Sequence, residues 1–155
     1  MPALLSLWSL FGFGIAVSIL GSISIRLMRR LDINESRFGT LISIFTLVCV
    51  ATSLFLGILS DIVGFQPMLI FGFLLTALSI SIIAVGESFI FVAFACALMG
   101  LGAMSLNIIG NTLAMVTLYG GQNTAAASNV SNIFFGLGIF LTPIITSTLF
   151  KTDRK

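Results

Sequence analysis

Three carboxamide side chains lie inside long apolar stretches, where a polar group needs a specific reason to be present. Asn107 and Asn111 are four residues apart, so on a helix they lie one above the other on the same face. Asn132 belongs to the next apolar stretch. Because a carboxamide is costly to desolvate in hydrocarbon, we expect all three to face other helices or water.

Two kinds of chemistry suit these asparagines, and the residues alone leave both open. They could form hydrogen bonds between helices and stabilise packing. They could also bind a polar solute in a central cavity. A carboxamide offers two donors and an acceptor without charge, which suits hydroxyl-rich ligands.

Asp61 is an acid at the end of the second apolar stretch, between Gly57 and Gly64. An unpaired carboxylate within hydrocarbon is expensive, so this position indicates a turn at the membrane interface. Asp61 could simply form the turn and cap the amino terminus of the next helix. It could also act as a charged latch between helices.

The residue types exclude several functions. The sequence contains no histidine, so it cannot provide histidine-based catalysis or histidine metal ligands. Between residues 38 and 150 the acids are Asp61 and Glu87, and short antiparallel connections place them on opposite membrane faces, where they cannot form an acid/base pair. We therefore predict no enzymatic activity, metal or cofactor. Seven basic residues also give almost no footprint for nucleic acid.

Composition decides which elements carry these residues. Hydrophobic residues make up 58% of the 155-residue chain and charged residues 8%, against roughly a quarter charged in soluble domains. Stretches of at least ~20 apolar residues can cross ~30 Å of hydrocarbon, and only as helices. We predict an all-α, multi-pass integral membrane protein of the plasma (inner) membrane. It has one transmembrane domain (1–155) with five spans at about 3–25, 38–60, 67–86, 88–118 and 128–150.

Small residues recur at helical spacing in the first, second and fourth spans. Such stripes allow close helix packing in lipid, and they can also line a cavity. The members of these stripes are Gly14, Ser18, Gly21 and Ser22; Gly39, Ser43, Thr46, Ser53, Gly57 and Ser60; and Gly100, Ala103, Asn107, Gly110, Asn111 and Ala114.

The segment Gly57-Ile-Leu-Ser-Asp61-Ile-Val-Gly64 resembles the loop motif of major facilitator superfamily transporters, Gly-x-Leu-x-Asp-x-x-Gly followed by a basic residue. It lies between the second and third spans, as that family requires. The resemblance implies that Gly57, Asp61 and Gly64 belong to a gate. Phe65, Gln66 and Pro67 replace the family's basic residues, so the charge-relay part of the motif is absent.

Two later segments are similar to the branch of that family containing fucose:proton symporters and related glucose transporters. They are 101–107 with Asn111, and 132–138 with Pro143. In that branch, carboxylates in the first and fourth spans help to bind sugar and proton; here Ser22 and Asn107 hold those positions. The resemblance therefore implies a solute site of Ser22, Asn107, Asn111 and Asn132, without proton coupling through carboxylates.

The function implied is transport of a small polar solute, such as a sugar, by the amino-terminal part of a secondary transporter that works by alternating access. Such transporters have about twelve spans in two six-span halves, each made of two three-span inverted repeats. Five spans form a partial half-bundle, so we expect a second transporter half or self-association as partner. The alternative is a truncated, non-transporting remnant or a helix-packing assembly subunit.

Two criteria predict opposite orientations of the chain in the membrane. The charged segment 26–37 is predicted to be the first loop, and its Asp32-Ile-Asn-Glu-Ser cluster could cap the next helix. The resemblance implies a cytoplasmic amino terminus and places this first loop on the outside. All seven basic residues, however, lie on the face that carries the first loop and the tail. The positive-inside rule would place that face in the cytoplasm.

Overall fold

The computed structural model describes residues 2–152, and every regular element within that range is a helix. The helices are α1 (Pro2–Leu31), α2 (Glu35–Val63), α3 (Phe65–Val85), α4 (Phe89–Thr117), a short 3₁₀ segment (Leu118–Gly121) and α5 (Thr124–Thr152). Each of the five α-helices is long and apolar enough to cross a membrane. The predicted all-α, five-span architecture is confirmed for this part of the chain, whereas the single-domain organisation stays a prediction.

Several helices extend beyond the spans predicted from hydropathy, among them α1 and α5. α1 continues to Leu31 rather than Ile25, so three arginines expected in a loop occupy its last turns. Arginine is a good helix former, and basic side chains interact favourably with a helix carboxyl terminus. α5 begins at Thr124 rather than Ser128, because Asn123 Oδ1 accepts a hydrogen bond from the Ala126 amide at 3.0 Å.

The connection from α1 to α2 contains the cap that the sequence predicts. Asn34 has extended backbone, and its Oδ1 accepts a hydrogen bond from the Arg37 amide at 2.9 Å. This bond satisfies one of the amides left free in the first turn of a helix. The expectation that the polar cluster after residue 31 caps the second helix is thus confirmed.

The connection from α2 to α3 is a single residue, Gly64, with φ 92° and ψ 160°. Asp61 lies in the last turn of α2, and Gln66 lies in the first turn of α3. The expected polar turn from Asp61 to Gln66, with Asp61 as N-cap, is therefore wrong. The apolar Ile62 and Val63 prolong α2, and the chain reverses direction at Gly64, which tolerates a positive φ.

α4 is the central helix, because it packs against α1, α2, α3 and α5. Its glycines mark the closest contacts. A Cβ atom at Gly100 would lie 3.1 Å from the Val48 side chain of α2, and one at Gly102 would lie 2.8 Å from the Thr76 amide nitrogen of α3. Gly110 makes a similar approach to α1. These small residues of α4 serve helix packing.

α1 and α5 cross at a pair of glycines. A Cβ atom at Gly14 would collide with the Phe135 carbonyl oxygen and lie 3.1 Å from the Gly138 Cα atom, and Gly138 has the reciprocal environment. One turn further along α1, the Ser18 hydroxyl donates to the Ile139 carbonyl oxygen at 3.2 Å. Backbone-to-backbone contact of this kind requires the absence of a side chain on both helices.

We expect Gly14→Ala and Gly138→Ala each to lower the free energy of unfolding by about 1–3 kcal/mol, because the new methyl group meets backbone atoms that cannot move aside. Gly136→Ala is the matched control, since a Cβ atom there has no heavy atom within 4 Å. Equilibrium unfolding in mixed micelles measures the difference. Equal effects at positions 136 and 138 would contradict the close crossing.

The two glycines of the loop motif should respond in opposite directions to alanine. Gly64→Ala places a side chain in a backbone region used almost solely by glycine, which costs about 1–3 kcal/mol. Gly57 lies in the helix, and a Cβ atom there has no heavy atom within 4 Å. Gly57→Ala should therefore be neutral or stabilising by up to about 1 kcal/mol. Thermal unfolding of both variants in one detergent tests this, and a stabilising Gly64→Ala would refute it.

Candidate functional site

Asn107 and Asn111 lie half-buried on α4 and form a hydrogen-bonded pair. The Asn111 side-chain amide nitrogen, Nδ2, donates to Asn107 Oδ1 at 2.8 Å and to the Asn107 backbone carbonyl oxygen at 3.0 Å. The Asn107 Nδ2 atom lies 3.8 Å from the Met104 sulfur, which is a weak acceptor. Within residues 2–152, the hydrogen bonds of this pair stay on α4, so the pair does not join two helices.

The packing of α4 decides where this pair points. Gly100 lies seven residues before Asn107 and Gly110 three residues after it, so the three share one side of α4. Gly100 contacts α2, and Gly110 contacts α1. Asn107 therefore lies on the side of α4 that carries these two contacts, with Asn111 one turn further along. The Asn107 side-chain amide, whose hydrogen-bond partner is the Met104 sulfur, and the Asn111 Oδ1 oxygen retain hydrogen-bonding capacity there.

Asn132 lies on the exposed side of α5, with Asn129 and Gly136 one turn to either side and also exposed. No hydrogen bond connects it to the α4 pair among the described residues. The adjacent Ser131 is 1% exposed, and its hydroxyl oxygen has no hydrogen-bond partner in the part of the chain that is described. α5 thus carries polar atoms on two sides, of which the sequence analysis identified only the exposed one.

Ser22 does not join the α4 pair either. Its hydroxyl donates to the Ser18 carbonyl oxygen of the same helix at 2.8 Å. Ser18, four residues earlier on the same side of α1, contacts α5 through Ile139. Ser22 therefore belongs to the side of α1 near α5, and its binding role stays a prediction.

The three residues of the loop motif lie in the last two turns of α2 and at its end. Asp61 is exposed, and no ion pair to it occurs among the described residues. A carboxylate in this position meets the negative end of the helix dipole, which is unfavourable without a cationic partner. Gly64 provides the sharp reversal between helices. The gating role of Gly57, Asp61 and Gly64 stays a prediction.

Arg30 is a structural residue that the sequence analysis placed in a loop. Its two terminal guanidinium nitrogens donate to the carbonyl oxygens of Ile83 and Ala84, in the last turn of α3. These carbonyls have no partner within their own helix, so Arg30 satisfies them and fixes the end of α1 to the end of α3. The sequence signal for this longer helix was the helical spacing of Arg26, Arg29 and Arg30 after the first apolar span.

Metal binding has no visible basis in the described part of the chain. Across residues 2–152, no group of three or more histidine, cysteine or acidic side chains is close enough to hold a metal ion.

Comparison with protein families decides the evolutionary origin of this bundle. The model of the Major Facilitator Superfamily matches residues 6–152. The chain belongs to the major facilitator superfamily. No curated protein and no solved structure matches it in the corresponding searches. The superfamily consists of transporters, so this member is a multi-pass membrane protein of a transporter family, and the resemblance at this level is confirmed. The fucose and glucose branch stays a prediction.

The hydrogen bonds between Asn107 and Asn111 predict how much the Asn111 side chain contributes to the free energy of unfolding. Because the Asn107–Asn111 bonds stay within one helix, Asn111→Ala should lower the free energy of unfolding by no more than about 1.5 kcal/mol. Asn132→Ala, on the exposed side of α5, is the comparison variant. Unfolding by denaturing detergent measures both. A much larger loss for Asn111→Ala would show that the pair holds neighbouring helices together.

Proposed function

We propose that this chain forms part of the transport path for a small, uncharged, polar solute, with the Asn107–Asn111 pair as its main contact. The observation that carries the proposal is the half-buried pair on the central helix α4, on the side that carries Gly100 and Gly110. Among the described residues, its amide and carbonyl groups make no hydrogen bond to another helix. A polar group left with this capacity inside a membrane marks a solute or water path.

The chemistry of the pair favours hydroxyl-rich solutes such as sugars. Carboxamides donate and accept hydrogen bonds without charge. The two positions that hold carboxylates in the fucose and glucose branch correspond to Ser22 and Asn107 in this sequence. A cationic or anionic substrate would find no opposite charge beside the pair. Proton coupling through these two positions is not part of the proposal, because neither side chain titrates.

The remaining predicted residues take secondary roles. Asn132 contributes from α5 if the exposed side of that helix faces the path, and Ser22 acts only near the contact of α1 with α5. Asp61 and the glycines around it shape the gate at the end of α2. Its exposed carboxylate needs a cationic partner from outside the described residues.

Alternating access by rocking requires a second bundle around the shared site. We propose that this bundle is a second transporter half or a second copy of the chain. The exposed sides of α2 and α5 are available for that contact, since α2 exposes Ser43, Leu47 and Val50, and α5 exposes Asn132 and Gly136.

A second candidate function is that of a non-transporting, helix-packing subunit. It is favoured by the glycines of α4, which pack against α1, α2 and α3. In that case the asparagines bind no solute, and substitution at Asn107 changes stability but no ligand-dependent property.

Protection by ligand separates the two functions. A panel of hexoses, pentoses and polyols is added to the detergent-purified chain, and the unfolding temperature is recorded. We expect at least one solute to stabilise the protein and Asn107→Ala to weaken its binding roughly tenfold, which corresponds to about 1.4 kcal/mol. Ser81→Ala is the control, because Ser81 is exposed and its hydroxyl bonds to its own helix at 2.9 Å.

Uptake into proteoliposomes tests transport itself. The chain is reconstituted alone and together with the carboxy-terminal half of a superfamily transporter, and the stabilising solutes are offered in labelled form. Uptake that is lost in Asn107→Ala and kept in Ser81→Ala supports the proposal. If no solute protects the protein and none enters the vesicles, the packing function is correct.

A further inference from the structure

A groove of about 680 Å³ opens between α1, α3 and the carboxy-terminal part of α5. Its lining residue Ile19 lies on the side of α1 opposite Leu10, which contacts Gly110 of α4. Its walls are almost entirely aliphatic, and they are formed by Ile19, Ile23, Leu27, Ile80, Ile83, Ala84 and Thr146.

The same groove has a strongly cationic end. Arg26, Arg29 and Arg30 line it, and none of its lining residues within the described part of the chain is acidic. Arg30 is held in place by the carbonyl oxygens of Ile83 and Ala84. A guanidinium has five N–H groups, so Arg30 keeps further donors after these two bonds. Fixing one arginine on α3 also brings the cationic end of α1 against the aliphatic wall of α3.

The length of α1 places the two ends of the groove at different membrane depths. α1 has 30 residues, which corresponds to about 45 Å at 1.5 Å per residue, against a hydrocarbon thickness of about 30 Å. The last turns of α1 therefore reach the headgroup region. Ile19 lies about 16 Å below Arg30 along the helix, at acyl-chain depth.

We propose that this groove is a binding site for an anionic phospholipid. The phosphate lies among Arg26, Arg29 and Arg30, and one acyl chain follows the isoleucines of α1 and α3 toward the membrane centre. Cationic pockets between transmembrane helices bind anionic headgroups in this way. The site is separate from the asparagine pair, so it does not depend on the proposed transport function.

Charge complementarity selects this occupant over others. A zwitterionic lipid brings its own cation to a cluster of three arginines, and free phosphate makes no use of the aliphatic walls. A helix from a second copy of the chain would cover the walls but would bring no obvious anion to the arginines. An anionic headgroup with an attached acyl chain satisfies both ends together.

Thermal unfolding of the delipidated chain in a neutral detergent tests the proposal. Phosphatidylglycerol, phosphatidylcholine with the same acyl chains, and inorganic phosphate are titrated separately. We expect phosphatidylglycerol to raise the unfolding temperature and the other two to have little effect. The double variant Arg26→Gln/Arg29→Gln should weaken the phosphatidylglycerol response roughly tenfold or more in concentration. It leaves Arg30, which holds α3, unchanged.

Two control variants keep the test sharp. Arg37→Gln removes the same charge from α2, outside the groove, and should keep the full response. Ile23→Trp fills the groove without changing charge and should weaken the response to the lipid while keeping the arginines. Native mass spectrometry should show a retained phosphatidylglycerol in the wild type and the Arg37 variant alone.

Three results would overturn the proposal. Equal stabilisation by phosphatidylcholine would show that the arginines do not select an anion. Equal stabilisation by inorganic phosphate would assign the arginines to a free anion. A dimer by light scattering that Ile23→Trp dissociates, with no response to phosphatidylglycerol, would assign the groove to a second copy of the chain.

Discussion

Close contact between helix backbones is the constraint on which this structure depends. Each helix in a membrane satisfies its own backbone hydrogen bonds, and lipid provides no hydrophobic force between helices. Helix association then depends on van der Waals contact, which grows as backbones approach, and on hydrogen bonds between helices. Gly14 and Gly138 allow this between α1 and α5, and Gly100, Gly102 and Gly110 allow it between α4 and three neighbours. Side chains at these positions would separate the helices.

The same arrangement creates the candidate site. α4 is surrounded by α1, α2, α3 and α5, so polar residues on it are kept from lipid by the neighbouring helices. Gly100 and Gly110 bring α2 and α1 close to α4, and Asn107 and Asn111 on the same helix are half-buried. Helix packing and the proposed solute contact thus use one helix.

The charged groups lie at helix ends, where each has a definite consequence. Arg30 joins the ends of α1 and α3 through two carbonyl oxygens, and the neighbouring arginines make that end of the groove cationic. Asp61 lies exposed at the carboxyl terminus of α2, where the helix dipole disfavours it. The arginines thus supply the cationic end of the groove, and the Asp61 carboxylate has no ion pair among the described residues.

The sequence alone determined the number of spans, their helical nature, the superfamily and the capping of α2 by its preceding polar cluster. These depend on local properties: apolar length, backbone hydrogen bonding in lipid, and a motif within eight residues. Tertiary structure alone decided that Ser18 meets α5 and that Gly100 and Gly110 meet α2 and α1, because helical spacing gives relative faces but not what they contact. It also decided that Gly14 meets Gly138 and that Arg30 caps α3, since both contacts join residues distant in sequence through packing that no local pattern encodes.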